Sequence, residues 1–206
     1  MSQGNDRDTG WVTAMAVIEP TETSTVLPGK PPFTVDDLLR FPDDGNRYEL
    51  FNGSLLVSPA PLPLHQRAIR RLERILEEFA PPTLEPLSTV NLRVTEKDFF
   101  IPDLVVVPTA AVEANELMFA PADILLAVEV VSPSTRARDR SAKPAAYAEA
   151  GIPTYWRIEP EALYVYTLDE GSYEGPEVYK AGEVAQLNTP YEVAFDPGDL
   201  VRPRGA

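Results

Sequence analysis

The sequence predicts a mixed α/β domain whose central sheet is covered by helices on both faces. Residues 104–107 and 124–131 are almost unbroken apolar runs, and a strand that is apolar at every position is buried on both sides. Between them and the N-terminus, residues 64–79 carry apolar side chains at helical spacing, which supplies at least one covering helix.

The elements follow in chain order. Residues 1–32 read as a flexible tail ending in Leu27-Pro28-Gly29-Lys30-Pro31-Pro32, which can neither continue a helix nor lie in a central strand. Residues 33–206 then make one domain. Thr34 with Asp37 three residues on marks a short helix, Thr34 its N-cap, ending before Pro42. Residues 48–51 and 54–57 are strands facing each other across Asn52-Gly53, a pair that tolerates the positive φ a tight hairpin needs. In the helix of residues 64–79, Leu72, Ile75, Leu76 and Phe79 form a stripe with the arginines largely opposite. His65, the only histidine, shares a face with Ile69, Leu72 and Leu76, so it points to the core side near the helix start.

Residues 87–94 read as a strand, residues 104–107 as a strand opening just after Pro102-Asp103, and residues 124–131 as a strand interrupted only by Glu129. Residues 135–150 are a loop and then a helix, closed by Gly151. A strand at 154–158 and a hairpin of 163–168 with 177–180 come next, then a turn-rich, mainly β stretch to about Leu200. There is no internal repeat.

Composition excludes several chemistries. With no cysteine and one histidine among 206 residues, disulfides, thiolate nucleophiles and a zinc cluster drop out. There is no Gly-x-Ser-x-Gly elbow, no Gly-rich phosphate loop and no dinucleotide fingerprint. Neither a signal peptide nor a membrane-spanning run is visible, so a cytoplasmic protein with no membrane partner is expected. A net charge of −14 argues against simple coating of nucleic acid. Two segments run the other way: residues 64–74 hold Arg67, Arg70, Arg71 and Arg74 against Glu73, and residues 132–143 hold Arg136, Arg138, Arg140 and Lys143 against Asp139. They are either solvated faces or the flanks of one nucleic-acid cleft.

Three acids are out of place. Glu129 lies within an apolar strand, Asp103 at the mouth of another, and Glu49 in the hairpin before Leu50-Phe51. A carboxylate in such a strand must be paired, protonated or bound to a cation. Each acid alone can reach water or an arginine at a strand end, but three acids feeding one sheet suggest a shared site. Like charges placed together raise each other's pKa unless a cation neutralises them, and oxygen ligands of this kind suit Mg²⁺ or Mn²⁺. Removing one acid is then expected to abolish the response to metal and to raise metal-free stability.

Several stretches together carry a resemblance. They are Tyr48-Glu49-Leu50-Phe51-Asn52-Gly53, His65, Ile101-Pro102-Asp103-Leu104-Val105-Val106-Val107, Val128-Glu129-Val130-Val131-Ser132-Pro133-Ser134-Thr135, Asp139, Lys143, Tyr147, Gly151-Ile152-Pro153 and Tyr155-Trp156. Over residues 33–200 the chain resembles the Uma-two family of restriction-type endonucleases in the PD-(D/E)XK superfamily. The resemblance implies a restriction-endonuclease-like core and metal-dependent phosphodiester hydrolysis in nucleic acid, most naturally DNA. It implies Asp103, Glu129 and the Val130 carbonyl as metal ligands for Mg²⁺ or Mn²⁺, with Glu49, His65 and Lys143 as further catalytic residues. Val131 stands where the superfamily has its lysine, so that role moves to Lys143, which Pro144 follows directly. Proline restricts the residue before it, so Lys143 either aims at the site from a first turn or kink, or is a solvated surface lysine. His65 either orients an acid, contacts substrate or packs in the core, and Tyr147, one turn beyond Lys143, packs on the sheet. A homodimer is expected, since a nuclease that cuts both strands of a duplex commonly pairs two sites. The competing readings are a nuclease fold that binds without turnover, and a structural domain whose acids pair with arginines.

Overall fold

The computed structural model describes residues 27–58, 61–114, 117–131 and 138–203. The expected tail lies outside the described residues as far as residue 26. Helix α1 (Val35–Leu38) starts at the predicted N-cap: the Asp37 N–H donates to Thr34 Oγ1 and the Thr34 N–H to the Asp37 carboxylate. Strands β1 (Arg47–Phe51) and β2 (Ser54–Ser58) form the predicted hairpin, with Asn52 at φ 49° and Gly53 at φ 72°. A Cβ added at Gly53 would stand 2.6 Å from the Pro32 Cβ, because the Pro-rich stretch folds back over this turn. Gly53→Ala should therefore cost at least the ~1–2 kcal/mol of a left-handed non-glycine residue, read as a lower urea midpoint. An unchanged midpoint would mean the turn relaxes freely.

Helix α2 (Pro63–Phe79) opens with proline in its first turn, where the missing N–H has no helical partner anyway. It buries Ala68, Ile69, Leu72 and Leu76, while Phe79, expected in the apolar stripe, ends the helix and stays exposed. The predicted strand over residues 87–94 is two strands, β3 (Leu84–Ser88) and β4 (Leu92–Arg93), in different sheets. The ladder of β3 runs out at Ser88, and Thr89 at φ 59° redirects the chain.

Strand β5 (Phe99–Phe100) pairs with β1 and β4, completing a four-stranded sheet in the order β2-β1-β5-β4. Next come β6 (Leu104–Pro108), α3 (Thr109–Ala114), β7 (Leu126–Val130), α4 (Lys143–Glu149), β8 (Thr154–Glu159), β9 (Ala162–Asp169) and β10 (Ser172–Lys180). The main sheet has the order β10-β9-β8-β7-β6-β3, antiparallel throughout except for the parallel pair β7 and β8. A two-stranded sheet of β11 (Ala185–Leu187) and β12 (Val193–Phe195) and the short α5 (Gly198–Val201) end the fold.

The apolar runs divide by alternation, as a doubly covered sheet requires. Leu104, Val106, Leu126, Val128 and Val130 pack with Leu72 and Leu76 of α2 on one face. Val105, Val107 and Ala127 pack with Ala146 and Tyr147 of α4 on the other. Glu129 has the parity of the second face, so its carboxylate is turned toward α4.

Candidate active site

Asp103 directly precedes β6, and Glu129 is the fourth residue of β7. The pairing Leu104↔Val128 makes Asp103 and Glu129 the next opposed positions along these neighbouring strands. The Val130 N–H donates to Asp103 Oδ2 at 2.9 Å, which fastens the acid to β7. His65 Nε2 lies 3.0 Å from the same oxygen, and Arg47 of β1 is 3.8 Å from Oδ1.

The second cluster forms around Lys143. Its ammonium is 2.9 Å from Glu49 Oε1 and 2.9 Å from Glu129 Oε1. Glu49 arrives from the four-stranded sheet, and its Oε1 also accepts the Ile101 N–H at 2.9 Å, just before Asp103. The Tyr147 hydroxyl donates to Glu129 Oε1 at 2.8 Å, one helical turn after Lys143. Glu49, Asp103, Glu129 and Lys143 are all less than a tenth exposed. Glu49, Asp103, Glu129, Val130, His65 and Lys143 are thus drawn together from two sheets and two helices.

The fold answers the question Pro144 poses. Lys143 is the first residue of α4 and follows a widened helical turn over Arg138–Ala142. A proline ring would strike the carbonyl four residues back in a regular helix. The widened turn moves that carbonyl aside and delivers Lys143 inward, so it is not a surface lysine. Tyr147 packs as expected, edge-on to Phe100 at 5.5 Å, and adds the Glu129 contact. Burial first, then the charges of Glu129 and Glu49, push its hydroxyl well above the usual range, so it stays a donor.

His65 is a polar neighbour of the site rather than a packed core side chain. Burial alone lowers its pKa, but the hydrogen bond and charge of Asp103, with the Val130 carbonyl, leave it raised against the opposing Arg47. Its Nδ1 is buried and makes no hydrogen bond.

The expected arginine cleft is not supported at two of its positions. Arg71 donates to the carbonyls of Asp199 and Arg202 at 2.7 Å each, pinning the end of the fold to α2. Arg140 pairs through two contacts with Glu159. Arg136 and the Arg138 side chain lie outside the described residues. Sequence reasoning passed over Arg157 and Glu159, although charges inside the apolar run of β8 give the signal that identified Glu129.

The donors that could face a metal are oxygens: the carboxylates of Asp103 and Glu129 and the Val130 carbonyl. Among the described residues no three His, Asp or Glu side chains are grouped closely enough to hold a metal ion by themselves. Two carboxylates completed by a carbonyl and water suit Mg²⁺ or Mn²⁺, and suit zinc poorly.

A mixed sheet between helices, with an acid at the start of one central strand and a second acid within its neighbour, is the layout of a restriction-endonuclease-like nuclease. The chain belongs to the Uma2 family, whose model, described as "Putative restriction endonuclease", matches residues 35–196. It is also similar to the crystal structure of a "putative nuclease belonging to DUF820" from Anabaena variabilis ATCC 29413. That likeness has a TM-score of 0.68 at 17% identity, covers 82% of this chain and 98% of the other, and shows the shared fold. No curated protein matches. Among the described residues, no helix is long and apolar enough to cross a membrane.

Proposed function

We propose that this protein is a Mg²⁺- or Mn²⁺-dependent endonuclease that hydrolyses phosphodiester bonds in nucleic acid, DNA before RNA. The observation that supports the reading is the placement of Asp103 and Glu129 at opposed positions of neighbouring strands, with the buried Lys143 ammonium on Glu129. In it, Asp103, Glu129 and Val130 hold the cation, whose chemistry is to polarise the scissile phosphate and ease deprotonation of the attacking water. Lys143 pairs with Glu129 and Glu49 and presents positive charge where the pentacovalent phosphorane gathers negative charge. Tyr147 and the Val130 N–H fix the two acids, and His65 with Arg47 orients Asp103. The same reading carries a homodimer and a cytoplasmic setting, and a monomer mass by light scattering at micromolar concentration would end the first.

The test is cleavage of duplex DNA, single-stranded DNA and RNA with Mg²⁺, Mn²⁺ or chelator. Metal-dependent cuts that chelator stops are the expected result. The second reading, a nuclease fold that binds without turnover, is favoured by Lys143 standing between both glutamates. Metal and nucleic-acid binding with no cleavage of any form would select it.

A further inference from the structure

We propose that Arg157 binds a phosphate of the substrate strand beside the metal-holding acids; the proposal rests on the nuclease reading and adds a residue to it. The ladder of β7 and β8 pairs Glu129 with Arg157, and that of β8 and β9 pairs Arg157 with Tyr164. Glu129, Arg157 and Tyr164 therefore form one row across three strands on the α4 face of the sheet, with Asp103 next to Glu129 at the start of β6. Neighbouring strands lie about 4.8 Å apart, so the row brings Arg157 within one phosphate's reach of Glu129.

Arg157 is only 9% exposed. Its guanidinium lies 4.3 Å over the Tyr164 ring and 5.5 Å from that of Tyr166, which hold it flat. Its Nε is 3.0 Å from Glu159 Oε1 at an angle that makes no hydrogen bond. That same oxygen accepts the Arg140 Nε at 3.0 Å, and Arg140 takes the second oxygen as well. Two guanidinium groups thus share one carboxylate: Arg140, about half exposed, has its better geometry and also reaches water, and the buried Arg157 Nε is left without a hydrogen bond. A buried donor left without a partner is costly, and a phosphate offers two oxygens that the planar guanidinium fork fits. A cation needed only to offset Glu129 is not called for, because Lys143 already meets that acid.

The experiment compares wild type, Arg157→Gln and Arg157→Lys in two assays. Anisotropy of a fluorescein-labelled DNA duplex is measured against salt, and melting is measured with and without Mn²⁺. Losing one phosphate contact lowers the slope of log Kd against log salt by about 0.9 on duplex. Arg157→Gln should show that drop and bind roughly ten- to a hundred-fold more weakly, as expected for a charged hydrogen-bonded pair. It should keep the full Mn²⁺ rise in Tm. Arg157→Lys should keep the slope yet bind more weakly than wild type, since it holds the charge and loses the fork. Wild-type slope and affinity in Arg157→Gln, whatever its Tm, overturn the proposal and leave the nuclease reading standing. No binding or cleavage of nucleic acid by wild type overturns both.

Discussion

Asp103→Asn and Glu129→Gln should each abolish the rise in melting temperature that Mn²⁺ gives the wild-type protein, together with cleavage. A ligand at a hundred times its Kd stabilises a fold by about 2.7 kcal/mol, which in a chain of this size corresponds to about 5–10 °C. The two variants separate in the metal-free state. Glu129 and Glu49 both meet the Lys143 ammonium, so after Glu129→Gln that ammonium still faces Glu49 and the variant should melt at or above wild type. Asp103 faces Arg47 and His65 and accepts the Val130 N–H, so Asp103→Asn leaves the Arg47 charge without its carboxylate and should melt below it. The expectation from sequence, that removing either acid relieves a conflict, is thereby narrowed to Glu129. Differential scanning calorimetry with Mn²⁺ and with chelator reads both effects. If either variant keeps the full metal response, the cation is held elsewhere.

Lys143→Met should be the most destabilising single change at the site. It leaves two carboxylates, both less than a tenth exposed, without the cation between them. Breaking a buried pair in this way costs about 3–5 kcal/mol, a fall of roughly 6–20 °C in Tm. A surface lysine would cost no more than ~0.5 kcal/mol, so the measurement separates the two placements cleanly. The double variant with Glu129→Gln should recover part of the loss, because the two residues are in direct contact. Additive effects in the double variant would show that the 2.9 Å contact carries no coupling.

Much of the fold was legible because it is written in local rules. Asn52-Gly53 specifies its hairpin through backbone conformation, Thr34 and Asp37 specify a helix start through reciprocal hydrogen bonds, and residues 63–79 specify a helix through the period of their apolar side chains. The break at Thr89 was not legible, since nothing local marks the point where β3 runs out of partner. Phe79 satisfied the period and still stayed exposed.

The sequence by itself determined that Asp103, Glu129 and Glu49 had to be paired, protonated or bound to a cation, because a charge in an apolar strand is a local contradiction whatever the fold. Which cation answers each acid was decided only by the tertiary structure. Lys143 is 94 residues from Glu49 and 14 from Glu129, yet its ammonium touches both. That contact exists because two sheets and a widened turn before Pro144 meet at one place. In the same way, arginines that look alike in the sequence were divided, Arg71 to the carbonyls near α5 and Arg140 to Glu159. Spacing along a chain reports which face a side chain takes. What waits opposite that face depends on packing between distant segments, and the electrostatics of a buried site follow from that packing.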